Sequence, residues 1–200
     1  MFIGKWNKSV ILSYIGVLIA CFGIYLALAG APNCACICLI FAGVCDMFDG
    51  AIARSIKRNE EEKKFGIELD SLADMVNFIA LPIVIIIING QNSLALLASF
   101  ALAICGIARL AHFNSVAKQK DHKNIYYQGL PVTFSALIFP TIFILSELFF
   151  YEQIAIILPI TAFIVATLNI LDIKIPKPRG LAYGVFSGIA IALTILLAIL

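Results

Sequence analysis

Four aspartates carry the chemistry that this sequence offers. Asp46 and Asp49, then Asp70 and Asp74, lie in "CDMFDGAIARSIKRNEEEKKFGIELDSLADMVNF", residues 45–78. The first pair is spaced i, i+3 and the second i, i+4, so on helices each pair faces one direction. The surrounding runs are apolar enough for lipid, where each carboxylate costs on the order of 3 kcal/mol and mutual repulsion adds more. Something has to compensate. Oxygen-only ligands of this hardness suit Mg²⁺ or Mn²⁺, with Ca²⁺ also fitting, rather than zinc. Two divalent cations would neutralise the cluster and offer positive charge to a phosphate, the arrangement that stabilises displacement at phosphorus. Two other readings compete. The acids could pair with Arg54 or Lys57 as solvated interfacial charges, or they could serve a divalent-cation or proton carrier. A carrier usually binds near the midplane. These acids crowd one side of the membrane, which favours chemistry on an interfacial substrate.

The elements that must position them follow from composition. The chain has 200 residues, 62% hydrophobic and 13% charged, with mean hydropathy +1.03; a soluble domain is roughly half apolar and a quarter charged. Apolar runs of roughly 20 residues match the length that crosses ~30 Å of hydrocarbon. The expected fold is all-α, a polytopic transmembrane helical bundle with spans near 10–29, 34–54, 66–89, 94–115, 129–149, 153–171 and 181–199. The connections "AGAPN", "NGQNS" and "FFYEQ" hold no Lys or Arg. All 14 basic residues fall in the other set: Lys5 and Lys8, Arg54 to Lys64, Arg109 to Lys123, and Lys174 to Arg179. The positive-inside rule then makes the N-terminus and the loops 55–65, 116–128 and 172–180 cytoplasmic, with the C-terminus outside.

This topology puts both acid pairs at similar depth. Asp46 precedes Arg54 by about 12 Å of helix axis, and Asp70 and Asp74 open the next, antiparallel span. Gly50, Ala53 and Gly66 flank the acids and allow a backbone or ligand to approach closely. Residues 1–200 read as a single integral-membrane domain, with 1–9 as an interfacial segment in which Phe2, Ile3 and Trp6 mix with Lys5 and Lys8. Lys5, Lys8 and a run ending "ALAGA" resemble a signal peptide, but the run is longer than usual and fits the alternation of loops. The six cysteines sit in apolar helical context, and the spacing in "CACIC" puts alternate residues about 200° apart on a helix; they read as packing residues. Nothing resembles a nucleic-acid site.

Asp46-x-x-Asp49-Gly50-x-x-Ala53-Arg54, followed by Gly66-x-x-x-Asp70-x-x-x-Asp74, resembles the signature of the CDP-alcohol phosphatidyltransferases, a membrane enzyme family with a six-helix core. All its signature positions are present. The resemblance implies a metal-dependent transfer at the cytoplasmic face: a CDP-linked lipid binds through its pyrophosphate, an alcohol attacks the lipid-side phosphorus, and CMP leaves. It implies that Asp46, Asp49 and Asp70 ligate one cation and that Asp46, Asp70 and Asp74 ligate a second. Asp74 would be the catalytic base, with Gly50, Ala53, Arg54 and Gly66 around the CDP-lipid. Ser13 falls where members often carry a hydroxyl near the nucleotide.

A second cluster bears on the acceptor. "GIARLAHFNS" puts Arg109, His112 and Asn114 at the end of the fourth span, and "YYQGLPVT" opens the fifth. These resemble segments of the phosphatidylserine synthases within that family, which implies transfer to L-serine. Glycerol phosphate or inositol phosphate are the alternative acceptors. Arg109 is a cation at the depth of the acids, suited to a lipid phosphate or a serine carboxylate. His112 and Asn114 would add acceptor contacts, and "KQKDHKNIYYQG" is polar and long enough to cover the site. Lipid tails meet only generic apolar surface, so CDP-diacylglycerol and CDP-archaeol fit equally. The family resemblance also implies a homodimer.

Overall fold

A computed structural model of the protein describes Gly4, Trp6 and residues 10–117, 126–176 and 181–200. Helices α1 (Ile11–Leu28) and α2 (Pro32–Ser55) form a hairpin. α1 buries Ser13, Gly16, Ala20, Gly23 and Ala27, small residues at alternating spacings of three and four, so α2 packs closely along one stripe. Helix α3 (Glu60–Met75) starts on a reciprocal cap: Asn59 accepts from the Glu62 backbone N–H, and Glu62 accepts from that of Asn59. Three glutamates in its first turn complement the helix dipole.

A five-residue π turn, Val76–Ala80, joins α3 to α4 (Leu81–Gly90). Its cause is Pro82, which lacks an N–H and whose ring would strike the carbonyl four residues back; widening the turn at Phe78 removes the conflict. Helices α5 (Ser93–Ala117), α6 (Ser135–Phe149), α7 (Ile154–Ile170) and α8 (Leu181–Ile199) complete the bundle. Among the described residues, seven helical segments are long and apolar enough to cross a membrane, with α3, the π turn and α4 counted as one. The third begins at Glu60, six residues before the apolar run, because the Asn59 cap extends the helix through "EEEKK".

The span 60–90 is the central one: half of its apolar window is buried, against 17% for α8 at the periphery. Phe78, Leu81, Leu39, Phe139, Phe143 and Leu158 form the middle of the core. Large apolar side chains such as Leu18, Phe22, Ile104, Ile164 and Ile191 point outward, the pattern of a lipid-facing surface rather than a wetted one.

Two short strands, read as loop in the sequence, join the ends of the later helices. β1 (Tyr126–Gln128) pairs antiparallel with β2 (Lys174–Pro176), Tyr127 opposite Ile175. The ribbon is anchored by Gly129 N–H donating to the Ile173 carbonyl and Leu130 N–H donating to that of Leu168, both at 2.9 Å. With its amide nitrogen turned inward, Asn169 also donates to the Leu130 carbonyl at 3.1 Å. Of segment 1–9 only Gly4 and Trp6 are described, and Trp6 stacks on Tyr14 at 5.1 Å. Residues 118–125, expected to cover the site, lie outside the described residues, as do 177–180.

Candidate active site

Three carboxylates converge where α2 and α3 run side by side. Asp46, Asp49 and Asp70 each offer an oxygen, and these oxygens all lie within 4.8 Å of one another. At an effective dielectric of ~20, two ionised groups so placed repel by about 3–4 kcal/mol. The helices supply this geometry directly. Asp46 and Asp49 lie one turn apart on α2, and Asp70 meets them from α3. Asp74 lies one turn further along α3, is buried, and feels all three, Asp46 most strongly. The four acids of the sequence motif thus form one site. Its donor set, three close carboxylates with a fourth behind them, fits hard divalent cations by number and chemistry.

Ser13 of α1 holds this cluster from a third side. Its hydroxyl donates to Asp49 Oδ2 at 2.8 Å, and both groups are buried. The serine therefore orients the carboxylate directly. Ser13→Ala should lower turnover about tenfold, since a hydrogen bond to a charged group is worth about 1.5–3 kcal/mol. Steady-state rates at saturating substrate will test this, and an unchanged rate would reduce Ser13 to packing.

A cavity of about 270 Å³ opens from the cluster. α2 lines it with Asp46, Asp49 and Gly50 and α3 with Asp70; facing residues are Tyr127 of β1, Thr133 and Phe134 before α6, and Tyr183 and Phe186 of α8. Ile40, Val44, Leu137 and Ala190 add apolar lining. Phe134 and Phe186 pack edge to face at 5.9 Å. Burial pushes the Tyr127 phenol up from its ordinary range, and Tyr183 and Asp46 add to this while Arg109 opposes it. The phenol is therefore a protonated donor at neutral pH.

The remaining candidates are distributed around this centre. Arg109 of α5 is buried, and its Nε has no hydrogen-bond partner among the described residues. Asn114 is engaged within the protein: it accepts from Ser71 Oγ at 2.9 Å and donates to Glu68 at 3.3 Å, tying α5 to α3. His112 is exposed. A side chain at Gly66 would meet the Arg58 guanidinium at 3.1 Å, so Gly66 leaves room for Arg58 against α3. Ala53 is half-buried, and the side chain of Arg54 lies outside the described residues. Sequence reasoning singled out "YYQGLPVT", which holds Tyr127 and Thr133, without naming either residue, and it missed Tyr183. Aromatic residues near span ends are common interfacial anchors, so no local signal marked Tyr183 as part of a site.

Comparison with known proteins agrees with the motif. The family model described as CDP-alcohol phosphatidyltransferase matches residues 6–196. The chain is 28% identical over 163 residues to an archaetidylserine synthase of Methanothermobacter thermautotrophicus, covering 79% of this chain and 64% of that one. It is 32% identical over 132 residues to a CDP-diacylglycerol–serine O-phosphatidyltransferase of Methanocaldococcus jannaschii (66% and 58% covered). It is 39% identical over 100 residues to the Saccharomyces cerevisiae protein of the same description (46% and 35% covered). The chain thus spans between about a third and just under two thirds of the length of these relatives.

Proposed function

Because this chain belongs to the CDP-alcohol phosphatidyltransferase family, we propose that it transfers the phosphatidyl or archaetidyl group of a CDP-linked lipid to L-serine, releasing CMP. The observation that carries the reading is the set of three carboxylates within 4.8 Å of one another lining a cavity whose other walls are largely apolar. A polar headgroup reaches the acids while its tails continue along apolar side chains. The names of the relatives, an archaetidylserine synthase and CDP-diacylglycerol–serine O-phosphatidyltransferases, support serine as the acceptor.

Asp46, Asp49 and Asp70 would hold divalent cations, with Asp74 completing the set. Such ions, when bound, supply the positive charge that a pyrophosphate needs. Ser13 keeps Asp49 oriented, and Gly50 leaves room for the headgroup. Asp74, buried behind the cluster, takes the proton of the serine hydroxyl. The serine oxygen forms its bond to the lipid-side phosphorus as the bond from that phosphorus to the bridging oxygen breaks, and CMP departs with that oxygen. Purified protein with CDP-lipid, labelled serine and Mn²⁺ or Mg²⁺ should yield labelled lipid and equimolar CMP. Transfer to glycerol phosphate but not to serine would overturn the choice of acceptor.

Arg109 serves the lipid phosphate in this reading. Its buried Nε has no hydrogen-bond partner among the described residues, so the guanidinium keeps a donor for a phosphate oxygen. Arg109→Lys cannot keep a planar two-point contact and should raise the KM for CDP-lipid more than that for serine. The reverse pattern would move Arg109 to the serine carboxylate.

The acids lie at the end of the bundle that carries Lys57, Arg58, Lys63 and Lys64, and this clustering of basic residues supports a site at the cytoplasmic face. A cysteine at residue 120 should resist an impermeant label added outside intact cells, and ready labelling there would reverse the orientation.

A further inference from the structure

Helix α3 carries two of the four acids but has little packing to hold it. Of its 16 residues, all of them described, Ala73 and Asp74 alone are buried, so apolar contact leaves its rotation about its own axis weakly fixed. That rotation matters to the site. A helix with its side chains is about 10–12 Å across, so a turn of about 10° moves a carboxylate about 1 Å. A displacement of about 1 Å can cost about a hundredfold in rate.

A polar bridge joins α3 to the end of α5. Ser71 Oγ donates to Asn114 Oδ1 at 2.9 Å, and Asn114 Nδ2 donates to Glu68 Oε2 at 3.3 Å. Glu68 and Ser71 bracket Asp70 in the chain. At about 100° per residue they share a flank turned about 110° from the mean direction of Asp70 and Asp74. An amide is the group this bridge requires. Ionised Glu68 accepts and cannot donate, so the Asn114 nitrogen must face it, which leaves the amide oxygen for the Ser71 hydroxyl.

We propose that Asn114 is a positioning residue: through Ser71 and Glu68 it fixes the rotation of α3 and so the angle at which Asp70 and Asp74 meet the cations. The inference rests on the transferase reading for the role of the acids and deepens it. Because α5 also carries Arg109, the same bridge sets the arginine against the acids.

The test exchanges the charges of the bridge at constant shape, in the full chain. Asn114→Asp places a carboxylate against Glu68, and the two repel. Adding Glu68→Gln returns a donor that this carboxylate accepts, at the net charge of the parent. Ser71→Ala removes one bond. Mn²⁺ affinity of the protein in detergent, read from the electron paramagnetic resonance signal of the free ion, is measured beside kcat, serine KM and melting temperature.

Ser71→Ala should weaken Mn²⁺ binding about three- to tenfold, the most that one hydrogen bond can transmit. Asn114→Asp should weaken it by more and lower kcat, while the serine KM stays within about twofold; Glu68→Gln should restore both. An added negative charge would by itself tighten cation binding, so weakening reports displacement of the acids. A direct contact between Asn114 and the acceptor would instead raise the serine KM and gain nothing from Glu68→Gln, which overturns the proposal. Unmoved Mn²⁺ affinity in Ser71→Ala and Asn114→Asp overturns it as well, even if melting temperature and rate fall together. Should Asn114→Asp fail to fold, Ser71→Ala decides. The binding measurement needs no turnover: an unaltered protein that holds Mn²⁺ but does not transfer to serine defeats the transferase reading, and the bridge is still judged by affinity.

Discussion

Replacing Asp49 with Asn is expected to lower CMP release at least about a hundredfold, the scale on which loss of one preorganised electrostatic partner acts. Asp49 is the most constrained acid of the cluster. It is buried, its oxygen lies within 4.8 Å of those of Asp46 and Asp70, and Ser13 fixes its other side. An amide keeps the shape but brings no charge to a cation, and one of its two heads turns a donor toward neighbouring acids. Folding should survive, because the substitution removes like-charge repulsion at constant volume. Rates with CDP-lipid and serine, alongside the melting temperature, separate these effects. Activity retained within about tenfold, less than ~1.4 kcal/mol of transition-state stabilisation, would remove Asp49 from the cation site.

The second large effect lies outside the motif. Gly129 links the ribbon to the start of α6 with φ +71°, and a Cβ there would stand 2.5 Å from the Asn169 backbone oxygen. Alanine would suffer the left-handed penalty of about 1–2 kcal/mol and would force α7 and the ribbon apart. Gly129→Ala should therefore destabilise the protein by at least about 2 kcal/mol. It should also cost at least about tenfold in activity, since Tyr127 is two residues away on the displaced strand, and a loss of more than ~1.4 kcal/mol corresponds to that factor. Thermal unfolding in detergent and serine transfer measure the two consequences. A variant as stable and active as the parent would show that the ribbon does not position the cavity wall.

The spans were legible in the sequence because lipid imposes a length and a composition on every crossing helix, and basic residues mark alternate loops. The acid site was legible for a related reason. Its four members sit on two consecutive helices at fixed helical spacings, so local periodicity already aligns them. The ribbon was not legible. Three residues are too few for alternation to register, and β1 and β2 are 45 residues apart in the chain. The π turn was hidden as well, since Pro82 near the start of a helical segment reads as a helix start and not as a widened turn within one continuous span. Asn114 illustrates the opposite difficulty: its residue type suggested a ligand contact, while packing of α5 on α3 engages it with Ser71 and Glu68.

By itself, the sequence determined the membrane class, the order of spans and the aspartates that gather on one side, because each depends on hydrophobic length, charge placement or neighbours within a turn or two. Tertiary structure alone decided which oxygen holds Asp49, where Arg109 is buried, and which hydroxyls face the acids. Those contacts join α1 to α2 across 36 residues for Ser13 and Asp49, and bring the ribbon and α8 to α2 and α3 across larger separations. Close packing of several helices, rather than any local pattern, brings such distant side chains together.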